Sequence, residues 1–418
     1  MKISFFTLGC KLNQAETDEL KKTLRKQKFL IVPFGTNEDI AVVRACGVTC
    51  GASQTTREMV RRAKRVGSKV VVIGCLENID LPEIDFIAKN NEEVIRYILE
   101  ELKNKKIDKN IAPSLKITNK NDGNDRTRAL IKIQTGCNFN CAYCIIPTFR
   151  GRTQSVSAEE VIKKIKQAEL DGYKEITLTG VNICQYRYQK MDLTDLLKLI
   201  LEKTKIPRIR LGSLDPRLIS NKFIELYTGQ FSNLKVYQFN NRLLPHWHLS
   251  LQSGSNTVLK RMNRNYTAKK YFAIVKKLRT NYPLFSFTTD IIVGFPEETE
   301  KEFLETCDFV KKVGFSKVHI FPFSPRPSTM AANMKQIDVK IKKERCKRLK
   351  IITGNATTDY TKQFVGLTRP VLFEKKNGRE HYEGYTPEYL KIKIKTDTNL
   401  VNKIKKIKLT ERNLKNRD

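Results

Sequence analysis

Apolar residues gather along this chain in short β-branched runs, separated by stretches with the wider spacing of amphipathic helices. Lys2 to Leu8, Ile40 to Ala45 and Lys69 to Ile73 are runs of strand length. Helical patterns through Leu20 and Leu24, and from Ser53 to Val66, lie between them. That βαβαβ order predicts a parallel sheet of the doubly wound kind, with all strand carboxyl ends on the edge where such sheets bind ligands. From Lys103 to Arg128 the periodicity stops, and Asn104, Asn110, Asn119, Asn121, Asn124, Pro113 and Gly123 give the composition of a linker. A second series of runs follows at Ala129 to Gln134, Glu175 to Thr179, Arg208 to Leu211, His248 to Leu251, Ser286 to Val293 and Lys317 to Pro322. Helical patterns separate most of them, two opening on capping boxes, Ser157 with Glu160 and Thr299 with Glu302. Six βα units in series predict a curled parallel sheet, either an incomplete barrel or an open doubly wound sheet. In the last sixty residues, Val371 to Glu374, Tyr389 to Lys395 and Ile404 to Leu409 are short strands broken by Gly366, Gly378 and Gly384, which fits a small β-barrel of the oligonucleotide-binding type. The expected division is 1–105, a linker over 106–128, a core over 129–354 and a tail over 355–418.

Composition narrows the function. A chain of 418 residues suits two or three domains. The best apolar run, Val70 to Leu76, is too short to span a bilayer. Thr7-Leu8-Gly9-Cys10 is similar to a lipoprotein cleavage site, but Ile3 to Leu8 is too short for a signal peptide. The expectation is a cytoplasmic monomer without a membrane partner. Seventy-eight Lys and Arg against 44 Asp and Glu leave a net charge of +34, which points to a polyanionic partner, nucleic acid first; lysines on solvated helix faces are the plainer alternative. Residues 391–418 alone carry a net +7, and Lys391-Ile392-Lys393-Ile394-Lys395 puts Lys on one face of a strand and Ile on the other. That is a barrel wall with a basic outside, or a charged edge that prevents aggregation.

The ten cysteines of a cytosolic protein read as metal binding or catalysis rather than disulfides. Cys10, Cys46 and Cys75 each fall just past a predicted strand, so three thiols distant in sequence converge on one sheet edge. Any one such placement is ordinary for a buried residue type; three together are not. Cys50 joins no pattern. Downstream, Gly136-Cys137-Asn138-Phe139-Asn140-Cys141-Ala142-Tyr143-Cys144 offers three thiolates within eight residues, at the end of the first strand of the second series. A structural zinc site wants four ligands, and the histidines at 246, 248, 319 and 381 are all distant in sequence. Three cysteines suit a 4Fe-4S cluster with one iron left open.

This CxxxCxxC loop, opening a six-fold βα series, resembles the radical S-adenosylmethionine (SAM) enzymes. The resemblance implies that the open iron at Cys137, Cys141 and Cys144 binds SAM, and that an electron cleaves it to a 5′-deoxyadenosyl radical while the protein positions the reactants and excludes water. It places Tyr143 near the adenine. Thr7 to Gln14, Cys46-Gly47-Val48-Thr49 and Ile73-Gly74-Cys75 resemble the N-terminal domain of the methylthiotransferases within that group. The likeness continues through Thr179-Gly180-Val181-Asn182, Arg210 to Ser213, His248 to Ser255, Arg261 to Arg264, Asp290 to Pro296 and Phe323 to Pro327, nearly the whole chain. It implies a second 4Fe-4S cluster on Cys10, Cys46 and Cys75, whose sulfur supplies or carries the transferred group. One SAM methylates that sulfur; the other yields the radical that attacks adenine C2. Gln252, Ser253, Asp290 and Gly294 are candidates for the SAM pocket from their strand-end positions and the motif match. Two departures stand out. Arg44-Ala45 replaces an Asn and a small polar residue beside the second cluster, where it bears on that cluster's hydrogen bonding, and Ser328-Thr329-Met330 stands where Gly-Thr-Pro is common.

By the same resemblance the tail is a TRAM domain, an RNA-binding barrel. Gly384 to Tyr389 and Gly9 to Thr17 are similar to the branch that acts on threonylcarbamoyladenosine. The implied function is methylthiolation of C2 of N6-threonylcarbamoyladenosine at tRNA position 37, in the anticodon loop, where an unstacked base is accessible. The implied needs are two 4Fe-4S clusters, SAM, tRNA and an unidentified electron donor. The alternatives are the same reaction on isopentenyladenosine, methylthiolation of a ribosomal-protein aspartate, and a non-catalytic RNA-binding protein stabilised by metal.

Overall fold

The computed structural model describes residues 1–76, 81–104, 126–229, 241–378 and 380–414. Most of the expected linker, 106–125, lies outside the described residues. The chain forms two compact units, Met1–Asp125 with Ile145–Gly151, and Arg126–Cys144 with Arg152–Asp418. Among the described residues no helix is long and apolar enough to cross a membrane.

The first unit holds β1 (Lys2–Thr7), α1 (Lys11–Lys26), β2 (Leu30–Val32), β3 (Ile40–Cys46), α2 (Cys50–Arg65), β4 (Lys69–Cys75), β5 (Phe86–Ala88) and α3 (Asn91–Asn104). Its strands are all parallel in the order β2-β1-β3-β4-β5. The unbroken apolar runs of β3 and β4 reflect burial on both faces. Ile40, Val42, Val71 and Ile73 meet Leu20, Leu24, Val94 and Ile98 on one side. Ala41, Val43, Val70 and Val72 meet Met59, Val60 and Ala63 on the other. β2 and β5 are three-residue edge strands, too short for the pattern to announce.

The second unit opens with β6 (Arg128–Lys132) and β7 (Gln134–Thr135); α4 (Ile146–Arg150), which belongs to the first unit, interrupts it. Then come β8 (Gln154–Ser155), α5 (Ala158–Leu170), β9 (Glu175–Thr179), the hairpin β10 (Arg187–Tyr188) and β11 (Met191–Asp192), α6 (Leu193–Lys203), β12 (Arg208–Leu211), β13 (Ser213–Leu214), α7 (Asn221–Gly229) and β14 (His246–Leu249). After these come α8 (Asn256–Arg261), α9 (Ala268–Asn281), β15 (Ser286–Val293), α10 (Glu300–Val313), β16 (Lys317–Pro322) and α11 (Val339–Lys362). β6, β9 and β12 pair in parallel, as do β13, β14, β15 and β16. β12 and β13 are one strand broken at Gly212, where a Cβ would lie 2.9 Å from the Leu178 carbonyl oxygen. The six expected βα units are therefore neighbours in chain order. β14 begins and ends two residues earlier than expected, and its inward residues, His246 and His248, are polar. Thr299 and Glu302 form a full capping box, whereas Ser157 makes only the half that accepts from Glu160 N–H.

Side chains alternate along this wall. Ile176, Leu178, Ile209, Leu211, Trp247 and Phe287 pack outward into one core with residues of the helices, such as Val161, Leu196, Leu278 and Val310. The opposite, inner face is polar: Glu175, Arg208, Arg210 and His246 are buried there, and His248 and Asp290 half-buried.

Helix α11 runs unbroken past residue 354. It leads to β17 (Thr368–Asn377), β18 (His381–Tyr385), β19 (Lys391–Lys395), β20 (Ile404–Lys408) and α12 (Glu411–Leu414). The strands form an antiparallel sheet in the order β19-β18-β17-β20. Strand β18 was not expected; its Gly384 reads as a breaker but sits where a Cβ would strike the Leu372 carbonyl oxygen at 2.4 Å. The loop after β18 is an internal fastening. Glu388, fully buried, accepts from Tyr282 and from Arg369 Nε at 3.0 Å. The Tyr385 and Tyr389 rings stack at 4.9 Å, with the Arg128 guanidinium 5.1 Å from each and Arg210 4.4 Å from Tyr389. The lysine face of β19 is partly neutralised, since Lys391 and Lys393 reach Glu383 at 3.1 and 3.3 Å.

Candidate active site

In the first unit the strand order reverses between β1 and β3, the switch point where doubly wound sheets open a crevice at their carboxyl edge. Cys46 and Cys75 are register partners at the last residues of β3 and β4, and Cys10 caps α1 just beyond β1. The trio therefore lies at the strand ends and α1 cap, not beyond all three strands. Gly9 passes Cys46 so closely that a Cβ would sit 3.0 Å from its Sγ, at a φ of +90°. Cys46, Gly47, Ser53, Thr56, Arg57 and Cys75 line a small cavity, into which the buried Ser53 Oγ brings a hydroxyl without a hydrogen-bond partner. An orphaned hydroxyl beside soft thiol donors fits a sulfide-rich group.

Burial pushes the Cys75 thiol up, and the Arg150 guanidinium opposes that shift. Arg150, on α4 of the same unit, donates through Nε to Cys75 Sγ at 3.2 Å and through Nη1 and Nη2 to the Glu16 carboxylate at 2.9 and 3.1 Å. Its Nη2 also reaches Asn13 Oδ1, while Asn13 Nδ2 donates to the carbonyls of Leu8 and Ala45 at 2.8 and 3.0 Å. Donors aimed at a ligand sulfur tune the charge it carries when metal is bound. Sequence reasoning missed Arg150 and pointed to Arg44 instead. Arg44 bonds Glu16, Thr17 and Asn91, so it bears on the thiols through Glu16.

In the second unit the loop of Cys137, Cys141 and Cys144 leaves β7 at Gly136, with φ +70°. Buried Gln134 holds its base, donating to the Gly136 carbonyl at 2.6 Å and accepting from Asn182 N–H at 3.0 Å. Three donors face the sulfurs: Gln185 Nε2 lies 3.5 Å from Cys137, and Arg217 and Arg264 lie 3.6 and 3.7 Å from Cys141. Asp215 ties the two arginines together at 2.7 and 3.3 Å. Burial pushes the Cys137 thiol up, and the Phe139 N–H, Gln185 and Arg217 moderate the shift. Among the described residues, the set of three ligand atoms lying within 4.8 Å of one another is His248, Asp290 and His319; neither cysteine trio is so tight. Thiolates on one zinc ion, each about 2.3 Å away, cannot be more than about 4.6 Å apart. Three thiols with side-chain N–H donors on their sulfurs are the kind of residues a cluster takes at each place.

Tyr143 packs beside Phe295, edge to face at 6.5 Å, within a cluster that includes Val258 and Met262. Gln252 holds φ +70° and bonds across to β15, its N–H donating to the Asp290 carbonyl at 2.9 Å. Gly294 donates to Glu298 at 2.8 Å, and a Cβ there would meet Lys342 at 2.5 Å. The Ser253 hydroxyl is buried against Thr306 at 3.1 Å. Asp290 accepts from His248 Nε2 at 3.2 Å, a partnership that sequence reasoning left out.

The Radical SAM superfamily model matches residues 131–310, and the model described as uncharacterized protein family UPF0004 matches residues 2–98. The threonylcarbamoyladenosine tRNA methylthiotransferase MtaB of Bacillus subtilis is 33% identical over 97% of this chain and 93% of its own length. The tRNA-2-methylthio-N(6)-dimethylallyladenosine synthase of a Thermoanaerobacter species is 30% identical over 97% of this chain and 89% of its own. Among solved structures, the radical SAM methyltransferase TsrM from Kitasatospora setae, with cobalamin and a 4Fe-4S cluster bound, superposes with a TM-score of 0.57 at 11% identity, covering 79% of this chain and 77% of that one.

Proposed function

This chain belongs to the radical SAM methylthiotransferases, and from that premise we propose that it converts N6-threonylcarbamoyladenosine at position 37 of tRNA to its 2-methylthio derivative, replacing C2–H by C2–SCH3. The observation that carries the reading is the pair of cysteine trios, one at the strand ends and helix cap of the first unit's parallel sheet and one in the loop after β7, each with side-chain donors on its sulfurs. When bound, the cluster of the second unit with SAM supplies a carbon radical, and that of the first supplies sulfur. Cys137, Cys141 and Cys144 would hold the one, and Cys10, Cys46 and Cys75 the other. Gln185, Arg217 and Arg264 hold the Cys137–Cys144 loop and place N–H groups on its sulfurs. Arg150 does the same for Cys75. Purified enzyme incubated anaerobically with SAM, a reductant and tRNA bearing the threonylcarbamoyl group should yield the 2-methylthio nucleoside by mass spectrometry. Product from isopentenylated tRNA alone would refute the substrate.

The antiparallel tail is proposed to be a TRAM-type surface that holds tRNA. Because Arg208 and Arg210 donate to carbonyls of Thr386 and Pro387, deleting the tail would unfold part of the core. Charge removal is the cleaner test. Lys405 and Lys408 are exposed on β20. Replacing both by Ala should weaken tRNA binding and flatten the dependence of log affinity on log salt by about one unit per lysine. An unchanged slope in filter-binding titrations would remove this strand from the interface.

A further inference from the structure

The inner face of β16 has an unusual composition for a buried-barrel fold. Val318 and Ile320 pack against the outer core, while Lys317, His319 and Phe321 stand on the other face, exposed. Phe321 leaves 41% of its surface open. In register beside them on β15 are Thr288, Asp290 and Ile292. His319 lies with Asp290 and His248, their ligand atoms within 4.8 Å of one another and the two imidazoles 6.0 Å apart. Both nitrogens of His248 have hydrogen-bond partners, Thr288 at 3.0 Å and Asp290 at 3.2 Å. That pairing holds the Asp290 carboxylate against His248.

We infer that this stripe seats the modified nucleoside, with Phe321 under the adenine and His319 and Lys317 reading the carboxylate of its N6 substituent. The inference rests on the function proposed above and names the residues that discriminate. Phe321 is next to last in β16, close to the carboxyl edge from which the Cys137–Cys144 loop projects. The reacting C2 must face that edge, so the base lies at the level of Phe321 and its N6 arm turns inward. Alternate residues of a strand are about 6.6 Å apart. One such step from Phe321 reaches His319, within the span of a ureido linkage ending in a carboxylate, and Lys317, a second step on, spans the rest with its long flexible side chain. An exposed aromatic face is the ordinary platform for an unstacked base, and N–H donors at its end suit an anion. An isopentenyl arm laid along the same path would put hydrocarbon against the polar edges of His319 and Lys317 and offer them no anion.

The test compares three anticodon stem-loop RNAs, carrying threonylcarbamoyladenosine, its threonine methyl ester and isopentenyladenosine, with reconstituted full-length enzyme. The parent should favour the acid over the ester by about ten- to a hundredfold in KM. In His319→Leu and in Lys317→Met that ratio should fall toward one, whereas His319→Gln, which keeps a donor, should retain most of it. Anisotropy titrations of the same RNAs give the discrimination without turnover. Threonylcarbamoyl product with the acid preference intact in both His319→Leu and Lys317→Met would overturn this inference alone. Product from the isopentenyl RNA only would overturn the proposed function, and this inference with it.

Discussion

Protein in which Cys10, Cys46 and Cys75 are all replaced by alanine should keep, after anaerobic reconstitution, about half of the roughly eight iron atoms expected of the parent chain. It should still cleave SAM to 5′-deoxyadenosine and should make no methylthio nucleoside. The two trios belong to separate compact units, and the side chains that bond Cys137 and Cys141, namely Gln185, Arg217 and Arg264, all lie in the second. Nothing on which SAM cleavage depends is therefore removed with the first trio. The substitutions are also mild in packing terms, since only Cys75 of the three is buried. Iron and sulfide analysis, with the nucleoside products followed chromatographically, decides the matter. A full iron complement would show that the first trio holds no cluster. Loss of 5′-deoxyadenosine at half complement would show that the two sites do not act separately.

What the sequence made legible follows from how far each signal travels along the chain. Glu175–Thr179, Ser286–Val293 and Lys317–Pro322 are strands to the residue, because local β-branched runs are what a strand needs. The places of Cys46 and Cys75 at the ends of neighbouring strands were legible too, since a thiol closing an apolar run is a local mark, whereas Cys10 caps a helix. The inner wall of the second unit was not legible. Arg208-Ile209-Arg210-Leu211 has the alternation of a strand with one face in water, yet Arg210 is fully buried. Its charge is met by Glu175, more than thirty residues away, which periodicity cannot report. Arg150 is invisible for the same reason: its meaning lies in Cys75 and Glu16, far back in the chain. Gly384 to Tyr389 was read only as a likeness to one branch of the family; its tyrosines and Glu388 meet Arg128, Arg210 and Tyr282, which the sequence does not report.

Glu175→Gln should be among the most destabilising single substitutions in the second unit, at about 3–5 kcal/mol near neutral pH, because it breaks a buried charge cluster from its centre. The Glu175 carboxylate is 2.7 Å from Arg210 Nε, 2.8 Å from Arg208 Nε and 3.8 Å from Arg128 Nη1, with Glu175, Arg208 and Arg210 almost wholly withdrawn from water. Glu374 shares Arg128. Neutralising Glu175 would remove the carboxylate nearest Arg208 and Arg210, and the backbone carbonyls of the 385–387 loop and the Tyr389 ring replace a charge poorly in a dry interior. Burial by itself would push the Glu175 carboxyl up, but Arg210, Arg208 and Arg128 more than offset it and hold the group at about 2. A glutamate in the unfolded chain titrates near 4.3, so the folded value is the lower one. The contribution is therefore complete above that unfolded value and is lost as pH falls toward the folded one. Thermal unfolding of parent and variant should show a wide gap that is constant from pH 7 to about pH 5 and narrows below about pH 4. Equal midpoints at pH 7 would mean that the three arginines do not need this carboxylate, and that the polar wall is held by its backbone acceptors alone.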